Sequence, residues 1–419
     1  MGQTIIEKLV SAKIGRPAAA GDVVWLSQDV VTARDFGGAS VVKNFLKAYG
    51  KDAQVFDRSR IRFTFDCNAP ANTAGYATNQ QICRDFAKQR GIKVHDVDAG
   101  IGSHLLIEQG LAFPGVTAIG TDSHYNILGA VGALGQGMGD VDVAYAFRNG
   151  QVWFEIPPTV RLNINGQLAA NASAKDLTLS VVNHFGSGGL LGLAVEFYGD
   201  AVEKLNLPGR ITLASMATEM SAVIALIPPE ASVLKWLAER ACVPVETMTA
   251  DPDARYIDEV TLDLDVIEPM IACPYSPDNV RSVREVAAEN IRLDTGFIGS
   301  CTNGRTEDYT AAFAQLEGGQ VADGVTLKLV PATREVYAEM LYSGLLEKLF
   351  GVGALVHNQG CGGCAAGQVG MTGAGEVQVS TSNRNFRGKQ GAGQTYLASP
   401  ATVSASVRAG RIVVPEVKP

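Results

Sequence analysis

No stretch of this chain approaches the ~18 uninterrupted apolar residues of a membrane-spanning helix. Nor does a basic start followed by an apolar run open it, at Met1-Gly2-Gln3-Thr4-Ile5-Ile6-Glu7-Lys8. A membrane partner and a secretory leader are therefore not expected, and the cytoplasm is the expected location. Lys- or Arg-rich runs are also missing, and the net charge is -8. A phosphate backbone demands a basic face, so nucleic acid is not expected as the main partner. An anionic small molecule stays compatible, because a basic pocket can sit inside an acidic protein. Charged residues make up only 19% against 46% hydrophobic, which excludes a disordered chain. Cysteines number seven in 419 residues; an odd count in so long a chain is not a disulfide framework and points to reduced thiols or metal ligands. The four-cysteine spacing of electron-transfer clusters is absent, as is a Cys-x-x-x-Cys-x-x-Cys run.

What is present is a long alternation of helical and strand patterns, with neither repeats nor low-complexity segments. The length predicts two or three domains. Thr4–Lys13, Ser40–Tyr49 and Ile82–Gln89 carry helical patterns. Ile61–Phe65, Lys93–Val97 and Thr117–Ile119 are short apolar runs between them. Val160–Ile164 and Ile211–Ala214 extend the strand-like runs into a middle region, where Asp176–His184 reads as a helix and Gly186–Gly192 as a break. Beyond a weakly periodic Met248–Asn279, the strands Thr295–Ile298, Thr326–Val330, Ala354–His357 and Glu376–Ser380 alternate with the helices Tyr309–Leu316 and Arg334–Ser343. Such alternation predicts an α/β protein with largely parallel sheets, divided at 1–155, 156–280 and 281–419.

Two cysteine runs each follow a predicted strand: Gly299-Ser300-Cys301-Thr302-Asn303 and Gly360-Cys361-Gly362-Gly363-Cys364. Ligands of open α/β sheets bind at the carboxyl ends of strands. A Cys-x-x-Cys pair can share one metal centre, and the glycines leave amides free to hydrogen-bond inorganic sulfide. Three cysteines on a cubane would leave one iron open as a Lewis acid. The local pattern also admits a zinc site completed by His357, a redox pair, or inert packing.

Two further runs, Gly120-Thr121-Asp122-Ser123-His124 and Ser382-Asn383-Arg384-Asn385-Phe386, complete an ordered set of four. Their order and spacing resemble the aconitase superfamily, and the length is similar to the large subunits of 3-isopropylmalate dehydratase, homoaconitase and 2,3-dimethylmalate dehydratase. The resemblance implies an aconitase-like fold of three α/β/α domains around a central cluster. It implies a hydro-lyase that moves water on a small 2-hydroxy di- or tricarboxylic acid. Cys301, Cys361 and Cys364 match ligands of one [4Fe–4S] cluster. Asp122 and His124 match an acid–histidine pair, Glu219 a carboxylate that orients a histidine, Arg384 a carboxylate-binding arginine and Asn383 a neighbour of the cluster. Taken alone, Asp122-Ser123 reads equally as a helix N-cap with His124 in its first turn. The swivelling domain that supplies a base in this superfamily finds no counterpart before Pro419, so a separate small subunit is the implied partner.

The departures fall among the substrate-side groups. In Phe65-Asp66-Cys67-Asn68, Cys67 stands where the family usually has histidine. Ser103 stands at another family histidine, with His104 one residue later. Ser215 replaces an asparagine near the cluster, and Lys389 an arginine, which keeps the charge but loses the planar fork. Asp66, Cys67, Ser103 and His104 are therefore carried as catalytic candidates beside His124, Asp122 and Glu219. Arg384, Lys389 and Asn383 are the substrate-binding candidates, with Arg34 a specificity residue. The pattern implies an altered substrate or reaction on a retained cluster. A standard isomerase subunit, an iron-responsive RNA binder and a non-catalytic scaffold are the alternatives.

Overall fold

A computed structural model describes residues 2–364 and 369–418, and among these the chain forms three main sheets and one ribbon. The first sheet is wholly parallel, in the order Lys93–His95, Ile61–Thr64, Val30–Arg34, Thr117–Gly120 and Leu134–Gly137. The second is also parallel, in the order Ile224–Leu226, Ala194–Tyr198, Thr159–Leu168 and Asp258–Ile267. The third has seven strands. Five of them run parallel from Gln394–Ala398 through Val377–Ser380, Thr295–Gly299 and Thr326–Val330 to Ala354–Val356. Met270–Ala272 and Val280–Ser282 add an antiparallel edge. An antiparallel ribbon pairs Val23–Ser27 with Gln151–Glu155. The sheets change over between Ile267 and Met270, ahead of the division expected at 280.

Most of the sequence-derived elements appear near their expected places. Ile5–Ile14 begins with a capping box in which Thr4 and Glu7 satisfy each other's amides. Ala74–Arg90 is twice the length of the run Ile82–Gln89, because its first turns are polar and only the Thr73 side chain, accepting from the Tyr76 amide, marks its start. One element was misread. Ile211–Ala214 is not a strand but the middle of the helix Leu207–Met216. Every residue of that helix from Pro208 to Met216 is buried, so no polar face was left to reveal a helical period. The helix Pro400–Ala409 was also missed; Thr402 to Val407 are likewise all buried.

The arrangement aims strand ends at one place. From the first sheet, chain leaves the ends of Val30–Arg34, Ile61–Thr64 and Thr117–Gly120 and immediately presents Arg34, Asp66 and Asp122. In the third sheet, Cys301 follows Thr295–Gly299, and Asn383 and Arg384 follow Val377–Ser380. The middle region contributes Ser215 from Leu207–Met216 and Glu219 from the 3₁₀ turn after it. No helix among the described residues is long and apolar enough to cross a membrane.

The 3₁₀ turn Tyr125–Val131 carries the Asp122–His124 loop against the second sheet. Contact there is backbone on backbone: a Cβ at Gly129 would lie 1.7 Å from the Ala225 carbonyl oxygen. Gly129→Ala is therefore expected to cost about 3 kcal/mol, the upper range for overpacking. Scanning calorimetry should record the lowered Tm, and an unchanged Tm would refute this close approach.

Candidate active site

Arg34 lies at the centre of the strand ends. Its Nε donates to Asp66 Oδ1 at 2.7 Å, Nη1 lies 3.1 Å from Asp122 Oδ1, and Nη2 donates to Cys361 Sγ at 2.6 Å. Burial works against its charge, yet Asp122 and Asp66 hold the guanidinium protonated well beyond its ordinary range. Burial pushes the Asp66 carboxyl up to about 6, against the pull of Arg34. Burial also pushes Asp122 up, but Arg34 and His124 more than reverse it and leave it below the usual carboxylate range. Asp66 Oδ2 accepts from the Gly102 amide at 2.7 Å. The loop behind Asp66 is shaped by Asp35, which sequence reasoning missed. Its buried carboxylate accepts from the amides of Asp66, Cys67 and Asn68 at 3.2, 2.9 and 3.1 Å, and from Gln80 Nε2 at 3.1 Å. Its only sequence signal was a place after a strand and before Gly37-Gly38.

His124 Nε2 donates to Glu219 Oε1 at 2.7 Å, and Arg384 Nε donates to both Glu219 oxygens at 2.8 and 3.0 Å. Glu219 thus fixes the histidine's tautomer and holds the arginine at once. That leaves His124 Nδ1 as the ring atom free for proton exchange, with Ser123 Oγ at 3.3 Å. The bland reading of Asp122 holds in part: its Oδ1 accepts from the His124 amide at 3.0 Å, just ahead of a 3₁₀ turn. Its contact with Arg34 and its place on the cavity go beyond a cap.

Cys301, Cys361, Cys364 and Cys67 all line one cavity of about 210 Å³. Arg34, Lys389 and His124 line it too, together with the ring of Phe36. Ser300, ahead of Cys301, has φ of +70°, a conformation in which non-glycine residues are uncommon. Gly362 has φ of +58°, and a Cβ there would meet the Phe297 ring at 2.7 Å. Burial raises the Cys301 thiol, as do Cys364, Asp122 and Cys361 around it, and burial lifts Cys364 to about 11. Thiols so placed ionise only with a cation among them, the donor set of a soft metal centre.

A single zinc ion does not match this set. Tetrahedral Zn–S bonds of ~2.3 Å place sulfurs ~3.8 Å apart. Among the described residues, the one group of three such ligand atoms mutually within 4.8 Å is Asp66, Cys67 and Cys361, not the three cysteines expected from sequence. In that group the cation is Arg34, bonded to both Asp66 and Cys361. His357 does not reach the cavity lining. A wider, multi-metal body fits the spread of Cys301, Cys361 and Cys364.

The remaining candidates take supporting places. Ser215 Oγ lies 3.4 Å from Cys301 Sγ and accepts from Asn383 Nδ2 at 3.1 Å; Asn383 Oδ1 lies 3.5 Å from the same sulfur. His104 sits on the helix Gly102–Glu108, where one residue turns a side chain by ~100° from Ser103. Its Nε2 donates to the Cys301 carbonyl at 3.0 Å, and burial lowers it to about 3, so it stays neutral. Neither His104 nor Ser103 lines the cavity; Ser103 Oγ and His104 Nδ1 are buried without partners. Lys175, one residue ahead of the helix expected at Asp176–His184 and missed by sequence reasoning, is fully buried. Its Nζ donates to the carbonyls of Thr381 and Ser382 at 2.9 and 3.0 Å. It fixes the loop that carries Asn383 and Arg384.

Comparison with known proteins bears on this geometry. Residues 51–410 match the aconitase family (aconitate hydratase). This chain belongs to the aconitase family. It is 41% identical over 418 residues to the 3-isopropylmalate dehydratase large subunit 1 of Methanopyrus kandleri, covering 99% of both chains. It is 40% identical over 421 residues to the homoaconitase large subunit of Thermus thermophilus, covering 99% of this chain and 98% of that one. The crystal structure of Thermococcus kodakaraensis aconitase X in its holo-form shares the fold, with a TM-score of 0.53 and 12% identity, over 90% of this chain and 89% of that one. The α/β sheets described above are thus an aconitase-family fold, and the chain is an aconitase-family hydro-lyase.

Within this aconitase-family site, Glu219 has a measurable signature. Burial pushes its carboxyl up, but the hydrogen bonds and charges of His124 and Arg384 outweigh burial and hold it below 4.5. A depressed folded value stabilises the fold fully above 4.5, and the contribution is lost as pH falls through the lower folded value. Glu219→Gln is expected to cost about 3 kcal/mol at neutral pH, as when one partner of a buried pair is removed. In urea unfolding, the gap between the two proteins should narrow as pH drops below 4.5. A gap independent of pH would contradict the assignment.

Proposed function

We propose that this chain is the large subunit of an iron–sulfur dehydratase or isomerase acting on a small 2-hydroxy di- or tricarboxylic acid. In this reading one [4Fe–4S] cluster is held by Cys301, Cys361 and Cys364, with one iron free of protein ligands. The observation that carries it is the convergence of those three cysteines on a single cavity with His124, Arg34 and Lys389. The cluster, when bound, supplies a Lewis-acidic iron for hydroxyl and carboxylate oxygens.

The chain's own residues do the rest. His124, oriented by Glu219, takes or gives a proton at Nδ1. Lys389 offers a cation to one carboxylate. Arg384, anchored through Nε on Glu219 and with Nη1 3.5 Å from Ser123 Oγ, keeps Nη2 for another. Asn383 and Ser215 position Cys301. Asp66 and Arg34 neutralise each other beside Cys361. The base for the carbon-bound proton is assigned to a separate small subunit, as the names of the relatives, large subunits, support. Ser103 and His104, away from the cavity, act on the packing behind Cys301.

The substrate is proposed to differ from those named for the relatives. Cys67 and Arg34 line the cavity, and Phe36, 68% exposed, presents an apolar ring to it. Cys67 and Lys389 on that lining, where the family usually has histidine and arginine, are the residues that support the difference.

Anaerobic reconstitution with iron and sulfide, followed by a screen of hydroxy-diacids with and without a small subunit, tests the proposal. Loaded protein should show a cluster by paramagnetic resonance after reduction, and Cys361→Ser should abolish turnover; retained turnover would sink the mechanism. Lys389→Ala should keep the cluster signal and raise KM about tenfold or more, the loss of one charge-assisted carboxylate contact.

A further inference from the structure

Among the described residues, Cys67 and Cys361 are the two cysteines that share a close group of three ligand atoms. Their Sγ atoms and a carboxylate oxygen of Asp66 lie within 4.8 Å of one another. The backbones are in register as well. The Cys361 amide donates to the Asp66 carbonyl at 2.9 Å, and Asn358 Nδ2 donates to the Ala69 carbonyl at 3.0 Å. Gly360 has φ of +149°, and a Cβ there would lie 2.9 Å from the Asp66 oxygen. Asp35 holds the amides of Asp66, Cys67 and Asn68.

A disulfide needs Cα atoms ~4.4–6.8 Å apart and sulfurs at ~2.05 Å. Sulfurs within 4.8 Å of one another, on loops joined by the Cys361–Asp66 backbone hydrogen bond, are within reach of that geometry. In the proposed function Cys67 lines the substrate cavity but moves no proton in the water chemistry. The same trio is a poor cation site, because Arg34 already bonds two of its three members.

We infer that Cys67 and Cys361 form a reversible disulfide when their thiols carry no metal, which locks one ligand of the centre. Only the naming of Cys361 as a cluster ligand rests on the proposed function; the bond itself does not. The co-reactant is a low-molecular-weight disulfide. One protein thiolate attacks it to give a mixed disulfide and release one small thiol. The second protein thiolate then displaces the other. Two protein thiols are oxidised, one small disulfide is reduced, and the two protons end on the small thiols. Both sulfurs line the cavity, so a small disulfide has access. The bond also shields Cys67 and Cys361 from irreversible oxidation.

The test treats cluster-free full-length chain, anaerobically, with oxidised glutathione. Free thiols are then alkylated, and the digest is read by mass spectrometry. The expected result is a Cys67 peptide joined to a Cys361 peptide, lost on adding dithiothreitol and absent from Cys67→Ser and Cys67→Ala. The linked chain should take up iron at least about tenfold less than reduced chain, because a ligand must be a free thiolate. A Cys361–Cys364 link, or glutathione adducts without a linked peptide, would overturn the inference; so would a linked chain that loads iron as well as the reduced one. A linked peptide in a protein whose reduced form takes up no iron would keep the disulfide and sink the cluster reading instead.

Discussion

Everything at this site leans on the charge of one buried guanidinium. Two carboxylates, Asp66 and Asp122, approach the strand ends from different loops of the first sheet, and Cys361 approaches from the third. Arg34 touches all three. Like charges this close cannot all ionise without a cation among them. Asp66 sits near 6 even with Arg34 in contact. Arg34 therefore sets how much negative charge the cavity wall carries, and so what charge an incoming molecule must bring.

Polar bridges join the three sheets at this point, beside an apolar core that also spans them. Glu219, of the middle region, joins His124 of the first sheet to Arg384 of the third. His104 joins the first sheet to the Cys301 carbonyl, and Lys175 joins the middle region to Thr381 and Ser382. Arg305 pairs with Glu108 across the same junction, and Thr333 donates to that carboxylate at 2.8 Å. Hydrogen bonds are directional where apolar contacts are not, so such bridges specify one alignment of the sheets. A cavity whose walls come from separate elements needs that alignment.

The site was largely legible because its chemistry is concentrated in short runs placed after strands. Gly360-Cys361-Gly362-Gly363-Cys364 and Gly120-Thr121-Asp122-Ser123-His124 each follow an apolar run, and the strands did form. Legibility failed where burial is uniform: Leu207–Met216 is enclosed all round and kept no helical period. It failed again for residues that work through the backbone. Asp35 and Lys175 belong to residue types that ordinarily face water, and only tertiary structure turns them inward. His104 illustrates a third limit. The sequence offers a histidine one place from where one is expected, but only the helix decides that its ring faces the Cys301 carbonyl.

The Asp35 carboxylate has a consequence for how this site can change. The Asp66–Asn68 turn takes its shape from three amides bonded to one buried anion, and main-chain amides are the same whatever side chain stands at position 67. That position is thus a replaceable tool in a fixed holder. An imidazole, a thiol or a hydroxyl can be mounted there without refolding the loop, so the chemistry offered to the cavity can be altered by a single codon while the architecture around it stands still.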